Sequence, residues 1–142
     1  MDTVFETAPY TTDCSECGSQ MEATVVEVLS AGTHQWDLEG DCPKCGSRWS
    51  ECGYETPLAG MRTAILVANG PATMHLIGGN LTPAGVMRAL RTVRTLTLAE
   101  ARVLANELGE RGLEGTRVEM EALAAPLRAV GASLRIRSSN TR

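Results

Sequence analysis

Long apolar runs are missing from this chain. None of its segments approaches the roughly 20 consecutive apolar residues that cross a bilayer, which excludes a transmembrane helix. The first residues, Met1-Asp2-Thr3-Val4-Phe5-Glu6, lack the basic and apolar regions of a secretory signal, so a cytoplasmic protein with no membrane association is expected. Charge is modest too: 21% Asp, Glu, Lys and Arg beside 43% apolar residues in 142 is too little for a disordered, solvating chain. Catalytic groupings are poor. The two histidines, His34 and His75, stand far apart, and no nucleophile elbow, Walker loop, dinucleotide fingerprint or His-Glu-x-x-His pair occurs. No enzyme is expected.

The net charge of −4 hides a division. Residues 1–57 hold eleven acids against Lys44 and Arg48, a net −9, whereas residues 58–142 hold eleven arginines and six glutamates, a net +5. All five cysteines lie in the first part. Two modules are expected, 1–57 and 58–142, joined where Pro57 and Gly60 punctuate the chain.

Cys14-Ser15-Glu16-Cys17-Gly18 and Cys42-Pro43-Lys44-Cys45-Gly46 are two C-x-x-C pairs with 24 residues between them. Two cysteines three apart, followed by glycine, fold into a tight turn whose backbone N–H groups point at sulfur. Two such turns complete a tetrahedron of thiolates around Zn²⁺. Between them, residues 21–29 are β-rich, residues 30–32 turn, and residues 33–39 alternate, with His34, Trp36 and Leu38 on one face. A third strand over residues 48–54 can follow. Residues 10–56 thus resemble a zinc ribbon, with Cys14, Cys17, Cys42 and Cys45 as ligands of a structural zinc. Disulfides would need an oxidising compartment, and a dithiol redox site would need a C-x-x-C opening a helix in a βαβ unit. Four thiolates fill the coordination shell, so the zinc is expected to be structural and not catalytic. A module with so few large apolar groups needs such a staple. His34 is read as a packed residue and Cys52 as a small strand residue, neither a ligand.

Beyond residue 60 the pattern changes. Residues 63–68 read as a buried strand and residues 73–77 as a second. Thr82-Pro83 opens a helix over about 83–95, and Val86, Leu90 and Val93 form its inner face. Thr97-Leu98-Ala99-Glu100 is a capping box for the next helix, which Gly109 ends as a left-handed cap. A third helix over about 119–130 follows, with a kink or late start expected from Pro126, and residues 133–137 close as a strand. The fold class expected is α+β: a small β zinc ribbon followed by a compact α/β sandwich, three helices on an antiparallel sheet.

Leu98-Ala99-Glu100-Ala101-Arg102-Val103-Leu104, the turn through Leu113-Glu114-Gly115, and Leu127-Arg128-Ala129-Val130-Gly131-Ala132-Ser133-Leu134-Arg135-Ile136 resemble the C-terminal domain of the bacterial ribosomal stalk protein. The resemblance covers about residues 73–137. The same fold serves the N-degron adaptor of the Clp protease, and Asn80-Leu81-Thr82-Pro83 looks like that family's strand-to-helix junction. Ala84, Gly109, Gly79 and Asn80 stand where the adaptor carries its pocket methionine, histidine and paired acids, so N-degron recognition is not expected. The stalk resemblance implies a docking surface of basic and aliphatic residues on the first two helices, here Leu90, Arg91, Arg94 and Arg102. Arg88, Arg91 and Arg94 recur every third residue along one side of the helix. Such a row is also what an ordinary solvated face looks like, and it is equally suited to docking on the acidic module of the same chain.

The function expected is a non-catalytic, zinc-binding protein-interaction adaptor with an arginine-lined helical face and an acidic ribbon. Its partner would be a protein. A ribosome- or RNA-associated factor and a small acidic inhibitor or immunity protein are the alternatives. Nucleic acid could be met only through the arginine helices, because the ribbon's eleven acids repel a phosphate backbone.

Overall fold

The computed structural model describes residues 3–139. Met1 and Asp2, the start of the segment read for a secretory signal, lie outside them. The chain forms two compact units, residues 1–70 and 71–142, each with its own sheet and core. Among the described residues, no helix is long and apolar enough to cross a membrane.

The first unit is a four-stranded antiparallel meander in the order β1-β2-β3-β4, made of β1 (Val4–Asp13), β2 (Gln20–Ser30), β3 (Thr33–Asp41) and β4 (Arg48–Tyr54). Alternation decides which side is buried. Ala8, Ala23, Val25, Trp36 and Leu38 point to one face and are covered by Met61 and Ile65. Those two belong to helix α1 (Ala59–Asn69), where the expectation was a strand over 63–68. A continuous apolar run fits either state; the four-residue spacing of Met61 and Ile65 puts both on one helical stripe, and the sheet beside them supplies the burial. Asn69 fastens the helix end to β1, its Nδ2 donating 2.9 Å to the Thr7 carbonyl.

That helix moves the boundary. The division expected at 57/58 falls at 70/71, because α1 belongs to the core of the cysteine-bearing unit. The ten-residue strand β1 is also additional to the three strands expected.

The second unit is α+β as expected: a three-stranded antiparallel sheet in the order β6-β5-β7, made of β5 (Ala72–Gly79), β6 (Leu113–Gly115) and β7 (Ala132–Ser138). Helices α2 (Pro83–Val93), α3 (Leu98–Glu110) and α4 (Arg117–Ala129) lie on one face of it. Ala72 and Met74 of β5 share a core with Val86 and Leu90 of α2, Leu108 of α3 and Met120, Leu123 and Leu127 of α4. The helices start where their caps dictate. Thr97 and Glu100 open α3 with a reciprocal capping box, as expected, and Thr116 and Glu119 do the same for α4. The second box starts α4 two residues earlier than expected, and the helix runs through Pro126 to Ala129. Proline withdraws a single N–H, and the helix ends within a turn of it. Helix α3 passes Gly109 and ends at Glu110, with Gly112 taking the positive φ of the cap.

Candidate metal centre

In a meander the first and third connections lie at the same end of the sheet. Here both are cysteine turns. Asp13 pairs with Gln20 and Asp41 with Arg48, so each turn is pinched shut by its own ladder. The two turns are copies: Cys14 N–H donates to the Ser19 carbonyl and Cys42 N–H to that of Ser47, each at 2.8 Å, while Gly18 and Gly46 N–H donate 2.9 Å back to the carbonyls of Cys14 and Cys42. Gly18 and Gly46 hold φ of +76° and +75°, a conformation that costs any residue with a Cβ about 1 kcal/mol or more.

This geometry brings the thiols of Cys14, Cys17, Cys42 and Cys45 to one point, all within 4.8 Å of one another. The cross-turn contacts are 3.7 Å for Cys14 Sγ to Cys45 Sγ and 3.6 Å for Cys17 Sγ to Cys42 Sγ. A tetrahedral ion with metal–sulfur bonds of about 2.3 Å requires sulfurs about 3.8 Å apart, whereas a disulfide needs about 2.05 Å. The four thiols therefore could hold a metal ion, and all four are free of disulfides. Cys14 and Cys42 are buried while Cys17 and Cys45 are exposed. Met21 and Trp49 close the buried side, Trp49 Nε1–H donating 3.1 Å to the Met21 sulfur.

Hydrogen bonds to sulfur favour thiolate. The Glu16 N–H donates to Cys14 Sγ at 3.4 Å. Cys17 is lowered to about 6, first by the Ser19 hydroxyl and then by the Ser19 backbone N–H, against burial. Cys45 is pushed up to about 11: the backbone N–H of Ser47 pulls it down, but burial and the sulfurs of Cys17 and Cys14 outweigh that bond. Crowded sulfurs cannot all give up their protons to water together; a cation among them removes that conflict.

His34 stands at the other end of β3, eight residues from Cys42 and so about 26 Å along the strand. Its Nε2 meets the buried Glu27 Oε2 at 2.6 Å. Cys52 is exposed on β4 opposite Asp37, outside the thiol cluster. In the second unit, Arg88, Arg91 and Arg102 are exposed and Arg94 is half-buried. Arg91 Nε donates 3.1 Å to the Leu96 carbonyl, tying α2 to the link that follows it. Leu90 does not belong to that surface: it is wholly buried in the core, since its place about two turns into α2 lies on the side of the helix that packs on α3 and α4.

Sequence reading missed the serines that close the two turns and bond the sulfurs. A signal was available, the repeat of Asp-Cys-x-x-Cys-Gly-Ser at residues 13–19 and 41–47. No family model, curated protein or solved structure matches the chain.

Proposed function

We propose that the chain is a non-catalytic, zinc-stapled protein-interaction adaptor of the cytoplasm, its metal scaffolding a ribbon and its surfaces doing the recognition. One observation carries this reading: four thiols close on one point from two hydrogen-bonded turns, which leaves a bound ion no vacant position for water. Soft thiolate donors in a tetrahedron select zinc over calcium or magnesium. Bound there, zinc would supply cross-linking of the two turns and no reaction.

The second unit supports the resemblance to the ribosomal stalk's C-terminal domain through its order of elements, β5-α2-α3-β6-α4-β7. In this reading Arg88, Arg91 and Arg102, with Arg94 beside them, form a face that engages an acidic protein surface, arginine's planar fork suiting carboxylates. Two measurements test it. Metal analysis of reduced, purified protein is expected to give one zinc per chain, replaceable by cobalt with thiolate charge-transfer bands. Charge reversal at Arg88 and Arg102 is expected to abolish recovery of an acidic partner from the native source; unchanged recovery would remove the face from the proposal.

A second reading has its own observation. Arg135 and Arg137 of β7 pair with His75 and Thr73 of β5 on the sheet face turned away from the helices, and both arginines are exposed. That row favours an RNA- or ribosome-associated role, for which retention should fall steeply with salt.

A further inference from the structure

The uncovered face of the four-stranded sheet is divided. Across one end run Phe5, Val28, Gln35 and Tyr54, cross-strand partners in register, and Val26 adjoins them. Phe5 is 59% and Tyr54 76% exposed, although tyrosine and phenylalanine are scarce here and ordinarily occupy cores or interfaces. Toward the cysteine end the face turns acidic. Asp37, Glu39 and Asp41 follow one another at alternate positions of β3, about 7 Å apart along the strand, with Glu22 exposed on β2. A shallow concavity of ≈ 660 Å³ lies over this part, lined by Glu22, Thr24, Glu39, Asp41, Arg48 and Ser50 among others.

Arg48 Nε donates to Asp41 Oδ1 at 2.9 Å, and among the described residues Arg48 is the one cation on this face. Asp37, Glu39 and Glu22 thus share it without a cation of their own. Like charges crowded on one sheet face destabilise it. Carboxylates alone would serve solubility, but exposed aromatics beside them work against it, and the two together complement a ligand that is both basic and apolar.

We infer that this face docks a basic polypeptide segment in extended form. Lysine or arginine at alternate positions would meet Asp37, Glu39 and Glu22, and an apolar side chain at one end would rest between Phe5 and Tyr54. The inference rests on the adaptor reading and gives its ribbon a partner chemistry, opposite in sign to that of the arginine face. Charge complementarity selects the occupant: the same carboxylates repel phosphate, so a nucleic acid does not fit.

The test uses the full chain, zinc-loaded and ¹⁵N-labelled. It is titrated with a synthetic peptide of about 12 residues alternating arginine and leucine, a span matching these strands. An otherwise identical peptide with glutamate for arginine, and a short single-stranded RNA, are the controls. Amide shifts are expected at Val26, Val28, Asp37, Glu39 and Tyr54 with the basic peptide alone. Asp37→Lys with Glu39→Lys, and separately Phe5→Ser with Tyr54→Ser, should each weaken binding about tenfold or more, with zinc content and far-UV spectrum unchanged. Equal binding by the charge-reversed variant, equal binding of the acidic peptide, or shifts confined to the second unit would overturn the proposal. So would RNA binding at this face, or concentration-dependent self-association that covers it. Any of these with the Arg88 and Arg102 result intact leaves the adaptor reading standing and removes the ribbon's role alone.

Discussion

Glu27 is the residue whose placement is hardest to sustain. Its side chain is 0% exposed, and of its two oxygens Oε2 meets His34 while Oε1 has no hydrogen-bond partner. Removing one member of a buried hydrogen-bonded pair leaves the other unsatisfied, so His34→Ala should cost about 1–3 kcal/mol by denaturant melting. Replacing both, as Glu27→Met with His34→Leu, should cost much less, and the double-mutant cycle reads the coupling directly. Ala31 offers the opposite change. It holds φ of +51° next to Gly32 at +81°, the two-residue loop of a hairpin that demands positive φ twice. Ala31→Asn should stabilise the protein by about 1 kcal/mol. At the start of α3, Glu100 accepts the Thr97 N–H at 2.9 Å, and the Thr97 backbone bond, then its side chain, hold the Glu100 pKa below the ordinary glutamate value. A lowered folded value means the contribution is complete above the ordinary pKa and is lost as pH falls through the lowered one. Glu100→Gln should therefore lower stability near neutral pH and leave acid stability nearly unchanged, flattening the acid limb of the profile.

Elements were legible where they carried their own local marker. Thr82-Pro83 and the Thr97–Glu100 box announced α2 and α3, and each C-x-x-C-Gly announced a turn, since these signals act over four or five residues. The thiol cluster was legible for the same reason: spacing within each turn and β-alternation between them sufficed. Helix α1 was not, because residues 64–68 are apolar throughout and only the sheet beside them decides the period. Nor was β1, whose Glu6, Ala8 and Tyr10 face inward beside exposed Phe5, Thr7 and Pro9, an alternation without the large apolar residues that flag a strand. The exposure of Arg88, Arg91 and Arg102 follows their three-residue spacing and charge, but Leu90 was grouped with them although its apolar character and helical position send it to the core. Strand pairing also explains a glycine that no local signal flags. Gly53 of β4 sits opposite Trp36, and a Cβ there would lie 2.6 Å from the indole. Gly53→Ala should push Trp36 out of its seat, red-shift its emission and cost about 1–3 kcal/mol.

At the scale of the whole molecule, two units with separate cores should respond separately to loss of the metal. The thiol cluster joins only the ends of two hairpins, yet Cys14, Cys42, Met21 and Trp49 form a small cluster of their own there, which loses its cross-link once no cation bridges the sulfurs. The second unit contains none of these residues; its stability comes from Met74, Leu90, Leu123, Leu127 and their neighbours. The two tryptophans make the distinction measurable, because Trp36 and Trp49 both belong to the first unit, whereas α2, α3 and α4 of the second dominate the helical signal. A strong zinc chelator is expected to lower the midpoint followed by tryptophan fluorescence by about 10 °C or more, as loss of a few kcal/mol from a domain of this size does. The midpoint followed by helical ellipticity should stay in place, and restoring zinc should return the first transition alone. If both midpoints fall together, the units unfold as one and the staple serves the whole chain; if neither moves, the sulfurs hold nothing that the fold requires.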